Sequence, residues 1–137
     1  MQVSEIMHKG VNIVQINDSL QHVAKMMKDR DLGSLPVYKD LRPVGFVTDR
    51  DIVVSCVSKG TTPDQPVSLA MKPDIVWIEE DKNVREAAEI MKQKQISRLL
   101  VVDKGNNPVG MLSLQDITDD SVRDRIKSDV IEEIKRQ

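Results

Sequence analysis

The chain reads as an α/β protein built from two copies of one strand-helix-strand-strand-helix unit, and three observations carry that reading. Segments recur at an offset of 64 residues, and one residue inserted in the turn before the closing motif widens it there to 65. Within each copy, a helical apolar period lies between short β-branched runs. Each copy closes on a glycine, two apolar residues, a hydroxyl and an aspartate, as "GFVTDRDIV" at 45–53 and "GMLSLQDIT" at 110–118. Internal repetition is weighed before local propensity because it determines the whole architecture.

The elements follow in order. "VSEIM" at 3–7 reappears as "VSLAM" at 67–71. A strand-like run follows in each copy, "VNIVQI" at 11–16 and "IVWI" at 75–78. Leu20, Val23, Ala24 and Met27 fall at i, i+3, i+4 and i+7, as do Val84, Ala87, Ala88 and Met91, and both sets predict amphipathic helices. Asn83 with Glu86 has the spacing of a capping box. Two further strands follow each helix, "SLPVY" then "VGFVT", and "RLLVV" then "VGMLS", separated by turn residues such as Lys104 to Pro108. The last helix of each copy opens inside the glycine-to-aspartate motif.

A unit of roughly 60 residues leaves too much apolar surface uncovered to stand well alone. Two copies can cover each other's sheets, so the predicted fold is a pseudo-twofold sandwich, sheet to sheet with helices outside. The predicted division is repeat one over 1–60, a linker over 61–66, repeat two over 67–120, and a C-terminal amphipathic helix over 121–137. That helix sets Val122, Ile126, Val130 and Ile134 at successive i+4 steps, with Ile131 alongside. Its apolar stripe needs a surface, either on its own module or, as favoured here, on a second subunit.

Composition narrows the function classes. The 137 residues carry 20 Lys+Arg against 22 Asp+Glu, interspersed, which is no nucleic-acid footprint. Aromatics make up 2 % of the chain, Tyr38, Phe46 and Trp77, too few for a base-stacking platform. No apolar run is long enough to span a membrane, and the first residues lack a secretory signal pattern. The single cysteine, Cys56, has no internal partner, so a reducing cytoplasm is the expected location.

Thr48 with Asp51, and Ser113 with Asp116, admit two readings. The first is a capping box, in which the hydroxyl accepts from the third helical amide and the acid reaches back, contributing about 0.5 to 2 kcal/mol. The second is a nucleoside-phosphate site. A helix start offers amides to phosphate, the carboxylate accepts from ribose hydroxyls, and the upstream glycine lets a ligand approach the backbone. Spacing alone leaves both open.

Two copies of "V-S-x-x-M", an amphipathic helix, a strand of the type "S-R-L-L-V-V-D" and the doubled "G-h-h-[ST]-x-x-D-I" together resemble a tandem CBS domain pair, or Bateman module, over about residues 1–120. The resemblance implies a non-catalytic sensor of adenosine-containing ligands in the cleft between repeats. The implied ligands are AMP, ADP or ATP, and less often S-adenosylmethionine or NADH, with no cofactor required and an unidentified regulated protein as partner. It implies two sites, each combining the aspartate of one repeat with strands of the other. Site A would hold Thr48, Asp51, Ile75, Val76, Ile96, Ser97 and Arg98, and site B would hold Ser113, Asp116, Val11, Asn12, Leu32, Gly33 and Ser34. Arg98 stands where the family often carries a phosphate-binding arginine after a histidine. Ser97 replaces that histidine here, and Gly33-Ser34 replaces the whole pair in the first repeat.

Other residues read more simply. His8 and His22 have no Cys or acidic cluster at ligand spacing, so surface or helix-end roles are expected rather than metal binding. Cys56 is expected to be a buried small hydrophobe. Trp77, on a strand, reads as core, with an adenine flank as the alternative. No nucleophile has a recognisable base, so no catalytic group is predicted. The helical stripes with Met26, Met27, Ile90 and Met91 suggest a homodimer joined through helices. A ligand-free dimerisation or scaffold module is the competing function.

Overall fold

The computed structural model describes residues 1–136 and divides the chain into two compact units. One, the Asp51 unit, is Asn12–Ile75; the other, the Asp116 unit, joins Met1–Val11 to the chain from Val76 onward. The Asp116 unit begins with a 3-10 turn at Val3–Glu5 and strand β1 (His8–Lys9). The Asp51 unit holds β2 (Val14–Gln15), α1 (Leu20–Arg30), β3 (Ser34–Lys39), β4 (Arg42–Thr48), α2 (Asp49–Ser55) and β5 (Lys72–Pro73), with 3-10 turns at Val57–Lys59 and Val67–Leu69. The chain then returns to the Asp116 unit for β6 (Trp77–Glu79), α3 (Val84–Lys94), β7 (Arg98–Val102), β8 (Pro108–Ser113), α4 (Leu114–Thr118) and α5 (Asp120–Lys135).

Each unit carries one four-stranded sheet, ordered β2-β3-β4-β5 in one and β6-β7-β8-β1 in the other. The β2–β3 and β6–β7 pairs are parallel, and the remaining pairs are antiparallel. The register slips between Val37 and Tyr38 in one sheet and between Val101 and Val102 in the other, which are equivalent places in the two repeats. The equivalent helices α1 and α3 both end on a left-handed residue, Asp31 at φ 53° and Gln95 at φ 54°. The repetition therefore extends to backbone irregularities.

The compact units exchange their leading segments. β1, from the start of the first repeat, pairs with β8 in the second, His8 opposite Met111 and Lys9 opposite Gly110. β5, from the start of the second repeat, pairs with β4 in the first, with Gly45 opposite Pro73. The motif glycines make these pairings possible. A Cβ on Gly45 would stand 2.7 Å from the Lys72 carbonyl oxygen, and one on Gly110 would stand 2.5 Å from that of His8. Each also lies within 3 Å of a methionine sulfur, Met71 or Met7. The glycine that the sequence offered to a ligand instead admits a neighbouring strand and the methionine of "V-S-x-x-M".

The apolar period is spent on the cores. Leu20, Val23 and Met27 of α1 are buried with Leu35, Val37 and Val47, and Val84, Ala87 and Met91 of α3 are buried with Leu99, Val101 and Leu112. Met27 and Met91 thus lie inside their own units, while Met26 and Ile90 are half-buried against the same cores, which removes most of the helical surface expected for dimerisation. Among the exposed apolar residues, Val53, Val54 and Val57 cluster on α2 and the turn after it. Ala24, expected on the buried stripe, is exposed. The strand runs at 11–16 and 75–78 shorten to β2 and β6. In β6, Ile78 points inward and Trp77 is 43 % exposed, so Trp77 is not a core residue. Asn83 caps α3 from one side, accepting from the Arg85 amide at 2.9 Å, in place of the reciprocal box that Glu86 suggested.

The helix α5 docks on its own unit. Ile126 packs against the Asp116-unit core, Arg125 meets Glu5 at 3.0 Å, and the amino group of Met1 meets Asp129 at 3.2 Å. Ile131 and Ile134 remain exposed. Among the described residues, no helix is long and apolar enough to cross a membrane.

Candidate functional site

Both glycine-to-aspartate motifs fold into a strand end followed by a short helix. Thr48 Oγ1 accepts from the Asp51 amide at 3.0 Å, and Asp51 Oδ2 accepts from the Thr48 amide at 3.0 Å. Ser113 Oγ accepts from the Asp116 amide at 3.2 Å, and Asp116 Oδ2 accepts from the Ser113 amide at 2.8 Å. The capping-box reading is therefore realised twice. The boxes also limit what the helix starts offer an anion. The first amide of α2, at Asp49, donates to the Gly33 carbonyl at 3.0 Å, and that of α4, at Leu114, donates to the Ser97 carbonyl at 2.8 Å. Arg50 donates its amide to Asp49 Oδ1 at 2.7 Å. Helices of seven and five residues with their leading amides committed are poor phosphate cradles, so phosphate recognition falls to side chains.

The caps use Oδ2 and leave Oδ1 of each aspartate facing a basic side chain. Asp51 Oδ1 lies 3.5 Å from Lys72 Nζ, and Asp116 Oδ1 lies 3.0 Å from His8 Nε2. His8 and Lys72 occupy equivalent positions of the two repeats, each directly after the methionine of "V-S-x-x-M". Both carboxylates are largely enclosed, with 11 % of the Asp51 side chain and 15 % of the Asp116 side chain exposed, whereas both basic partners are 78 % exposed. An enclosed carboxylate with one oxygen fixed and the other turned to an exposed basic side chain is a defined hydrogen-bond acceptor.

The sheets determine which candidate residues share a unit. Thr48 is opposite Ser34 in the β3–β4 ladder, which sets Leu32-Gly33-Ser34 beside Thr48 and Asp51. Ser113 is opposite Arg98 in the β7–β8 ladder, which sets Ile96-Ser97-Arg98 beside Ser113 and Asp116. Each motif therefore has the strand start of its own repeat as its neighbour, whereas the family resemblance groups those strand starts with the aspartate of the other repeat. Ser97 and Arg98 are exposed, and Ile96 is half-buried. The divisions between units fall within the two remaining pairs: Val11 belongs with Asp116 and Asn12 with Asp51, and Ile75 belongs with Asp51 and Val76 with Asp116. Asn12 accepts from the Arg30 guanidinium, and Val76 gives its carbonyl to the Leu100 amide at 3.2 Å.

The sequence reading assigned His8 a surface role and missed its bond to Asp116. The available signal was its equivalence to Lys72 across the repeat. His22 is exposed at the start of α1, where its amide donates to Ser19 Oγ at 3.0 Å. Cys56 is buried at 1 % exposure. Among the described residues, no group of three or more His, Cys, Asp or Glu is placed to hold a metal ion. A cavity of about 470 Å³ in the Asp116 unit includes neither cap residue of that unit in its walls, where Glu79, Glu80, Asp81 and Asp103 outnumber the single cation, Lys104.

Duplicated sheets, exchanged leading segments and doubly bonded caps define a two-repeat module of the CBS type. The CBS domain family matches residues 3–57 and 67–122, and the chain belongs to that family. It is 34 % identical over 115 residues to the CBS domain-containing protein YhcV of Bacillus subtilis, covering 84 % of this chain and 81 % of YhcV. Hypoxic response protein 1 of Mycobacterium tuberculosis is 30 % identical over 115 residues, covering 82 % of this chain and 80 % of that protein. A crystal structure of hypoxic response protein I with two coordinated zinc ions superposes with a TM-score of 0.71 at 29 % identity, over 85 % of this chain and 96 % of that one. The CBS domain protein PAE2072 of Pyrobaculum aerophilum, solved in complex with AMP, shares the fold with a TM-score of 0.74 at 22 % identity, over 93 % of this chain and 99 % of that one.

Proposed function

We propose that this chain is a non-catalytic regulatory module that binds adenosine-containing ligands and signals to a partner protein. AMP, ADP and ATP are the first candidates, ahead of S-adenosylmethionine and NADH. The observation that carries this reading is the pair of enclosed carboxylates, Asp51 and Asp116, each with Oδ2 fixed by its cap and Oδ1 turned towards a displaceable basic group. A ribose supplies hydroxyl donors suited to such an acceptor. The complex of PAE2072 with AMP supports the ligand class.

Arg98 is assigned to the phosphate of the ligand held by Asp116, because the β7–β8 register sets it opposite Ser113. This departs from the grouping with Asp51 that the resemblance implies. Beside Asp51, the equivalent strand start is Gly33-Ser34, without charge. A hydrogen bond to a charged group contributes about 1.5 to 3 kcal/mol, so Arg98→Ala should weaken AMP about 10- to 150-fold while leaving adenosine nearly unchanged. In calorimetry, Arg98→Ala and Asp116→Ala should be non-additive, and Arg98→Ala and Asp51→Ala additive. The reverse pattern restores the grouping with Asp51, and equal weakening of adenosine and AMP removes the phosphate role.

A second reading, a ligand-free scaffold, is favoured by one observation: both carboxylates are fully partnered within the protein. A thermal-shift series with the five ligands separates the readings, since a ligand at 100 times its Kd adds about 2.7 kcal/mol to stability. No shift with any of them favours the scaffold. For either reading we infer a homodimer through the exposed α2 face, Val53, Val54 and Val57. Sedimentation showing a single-chain mass at micromolar concentration would exclude it.

A further inference from the structure

The two carboxylates have non-equivalent partners at equivalent positions, and this difference has a chemical consequence for ligand choice. Asp116 Oδ2 is held by the Ser113 amide at 2.8 Å, and the side chain is 15 % exposed, so one approach to the carboxylate remains, at Oδ1. His8 Nε2 stands on that approach at 3.0 Å. In the Asp51 unit the corresponding group is Lys72 Nζ at 3.5 Å, and a lysine ammonium has no charge change of its own near neutrality. An imidazole, by contrast, changes charge near neutrality.

We propose that His8 is a specificity-determining residue of the Asp116 site, competing with ribose hydroxyls for Oδ1 and making nucleoside binding there weaken on acidification, whereas the Asp51 site, guarded by Lys72, does not respond. The inference rests on the reading of Asp116 as a ribose acceptor. In acid, the ligand must displace an imidazolium that donates a charge-assisted bond. At higher pH, it displaces a neutral ring that donates an ordinary one. The charged groups around this pair come from several elements. Asp116 comes from α4, Arg98 stands at the start of β7 opposite Ser113, β8 contributes no titratable side chain between Pro108 and Ser113, and on β1 itself the neighbour is Lys9. With its side chain 78 % exposed, His8 is free to swing away, and its contribution is that of a largely solvated pair.

The test is calorimetry with adenosine, which has no group titrating between about pH 6 and 8, the range in which an ordinary histidine changes charge. The full chain carrying Asp51→Asn isolates the Asp116 event. Binding should weaken about two- to five-fold from the upper to the lower pH. Adding His8→Ala should tighten binding at the lower pH and flatten the dependence. In the reciprocal background, Asp116→Asn, the Lys72→His variant should confer a similar dependence on the Asp51 event. The inference is overturned if binding is lost on Asp116→Asn yet has the same pH profile with and without His8, or if His8→Ala weakens adenosine, which would make the imidazole a ligand contact. If no variant takes up adenosine at either pH, the nucleoside reading itself fails, and this inference with it.

Discussion

Around their carboxylates, the two units agree in backbone and differ in charge. Both sheets have the same order, the same register slip and the same reciprocal cap, with Asp51 and Asp116 each bound through Oδ2. Yet Asp51 faces Lys72 and lies beside Gly33-Ser34, while Asp116 faces His8 and lies beside Ser97-Arg98. The common features are those the fold needs, because a strand must end and a helix must start at that point. The features that differ are exposed or, for Ser34, half-buried, and none of them belongs to either core cluster. Stability and ligand selectivity therefore reside in different atoms of the same short motif, and substitutions can separate them.

The largest expected effect tests whether the units are separate cores. Leu35 and Leu99 are equivalent residues at 1 % and 0 % exposure, each packed in its own cluster. Leu35→Ala and Leu99→Ala should each cost about 2 to 5 kcal/mol in urea unfolding, through lost transfer energy and a residual cavity. Hydrogen exchange should show Leu35→Ala loosening β3 and β4 more than β7 and β8, and Leu99→Ala the reverse. Uniform loss of protection in both variants would contradict two separable cores.

The repeat, its element order and the core stripe were legible because apolar periodicity is local and occurs twice. Leu20, Val23 and Met27 reveal α1 without knowledge of what covers them, and Val84, Ala87 and Met91 reveal α3 in the same way. The exchange of leading segments was not legible, since nothing in "VSEIM" specifies which of two similar sheets β1 will join. The motif glycines held the missing information. Gly110 admits the His8 backbone, but in sequence a glycine made for a strand resembles one made for a ligand. The aspartates were found by spacing. Their partner His8 was hidden, because a bond spanning 108 positions leaves no local pattern. Trp77 was misread as core because a strand run of four apolar residues does not reveal which face is buried.

A smaller effect examines the shared cap. Thr48→Ala and Ser113→Ala each remove the hydroxyl that accepts from the aspartate amide, and each should lower stability by about 0.5 to 2 kcal/mol in thermal unfolding. The two losses should agree, since the bonds at 3.0 and 3.2 Å are geometrically alike. Thr48→Ser should restore most of the loss. A variant pair differing by several kcal/mol would mean that one hydroxyl has a structural role beyond its cap.

The smallest effect is a response to acid that should fall on one unit. Among the described residues, three carboxyls are held below their usual range, and all three belong to the Asp116 unit. Glu5 is lowered first by the Gln2 amide and then by the Arg125 guanidinium of α5. Asp103 is lowered by the side chain and amide of Asn107, and Asp119 by the hydroxyl and amide of Ser121. A carboxyl depressed in the folded state stabilises it fully above the unfolded carboxyl range, and that contribution disappears as pH falls through the range towards the folded values. Acidification from about pH 6 to 3 should therefore weaken the Asp116 unit more than the Asp51 unit, beginning where Glu5 ties α5 to the 3-10 turn. None of the three carboxyls is buried, so the shift in the unfolding midpoint should be small and should shrink further in salt. Amide resonances of α5, followed in urea at both pH values, should lose their native positions before those of α1. Glu5→Gln should remove α5's part of the pH response while leaving Asp103 and Asp119 to supply theirs. Equal weakening of α1 and α5 on acidification, in the parent and in Glu5→Gln alike, would show that these three carboxyls do not set the acid response.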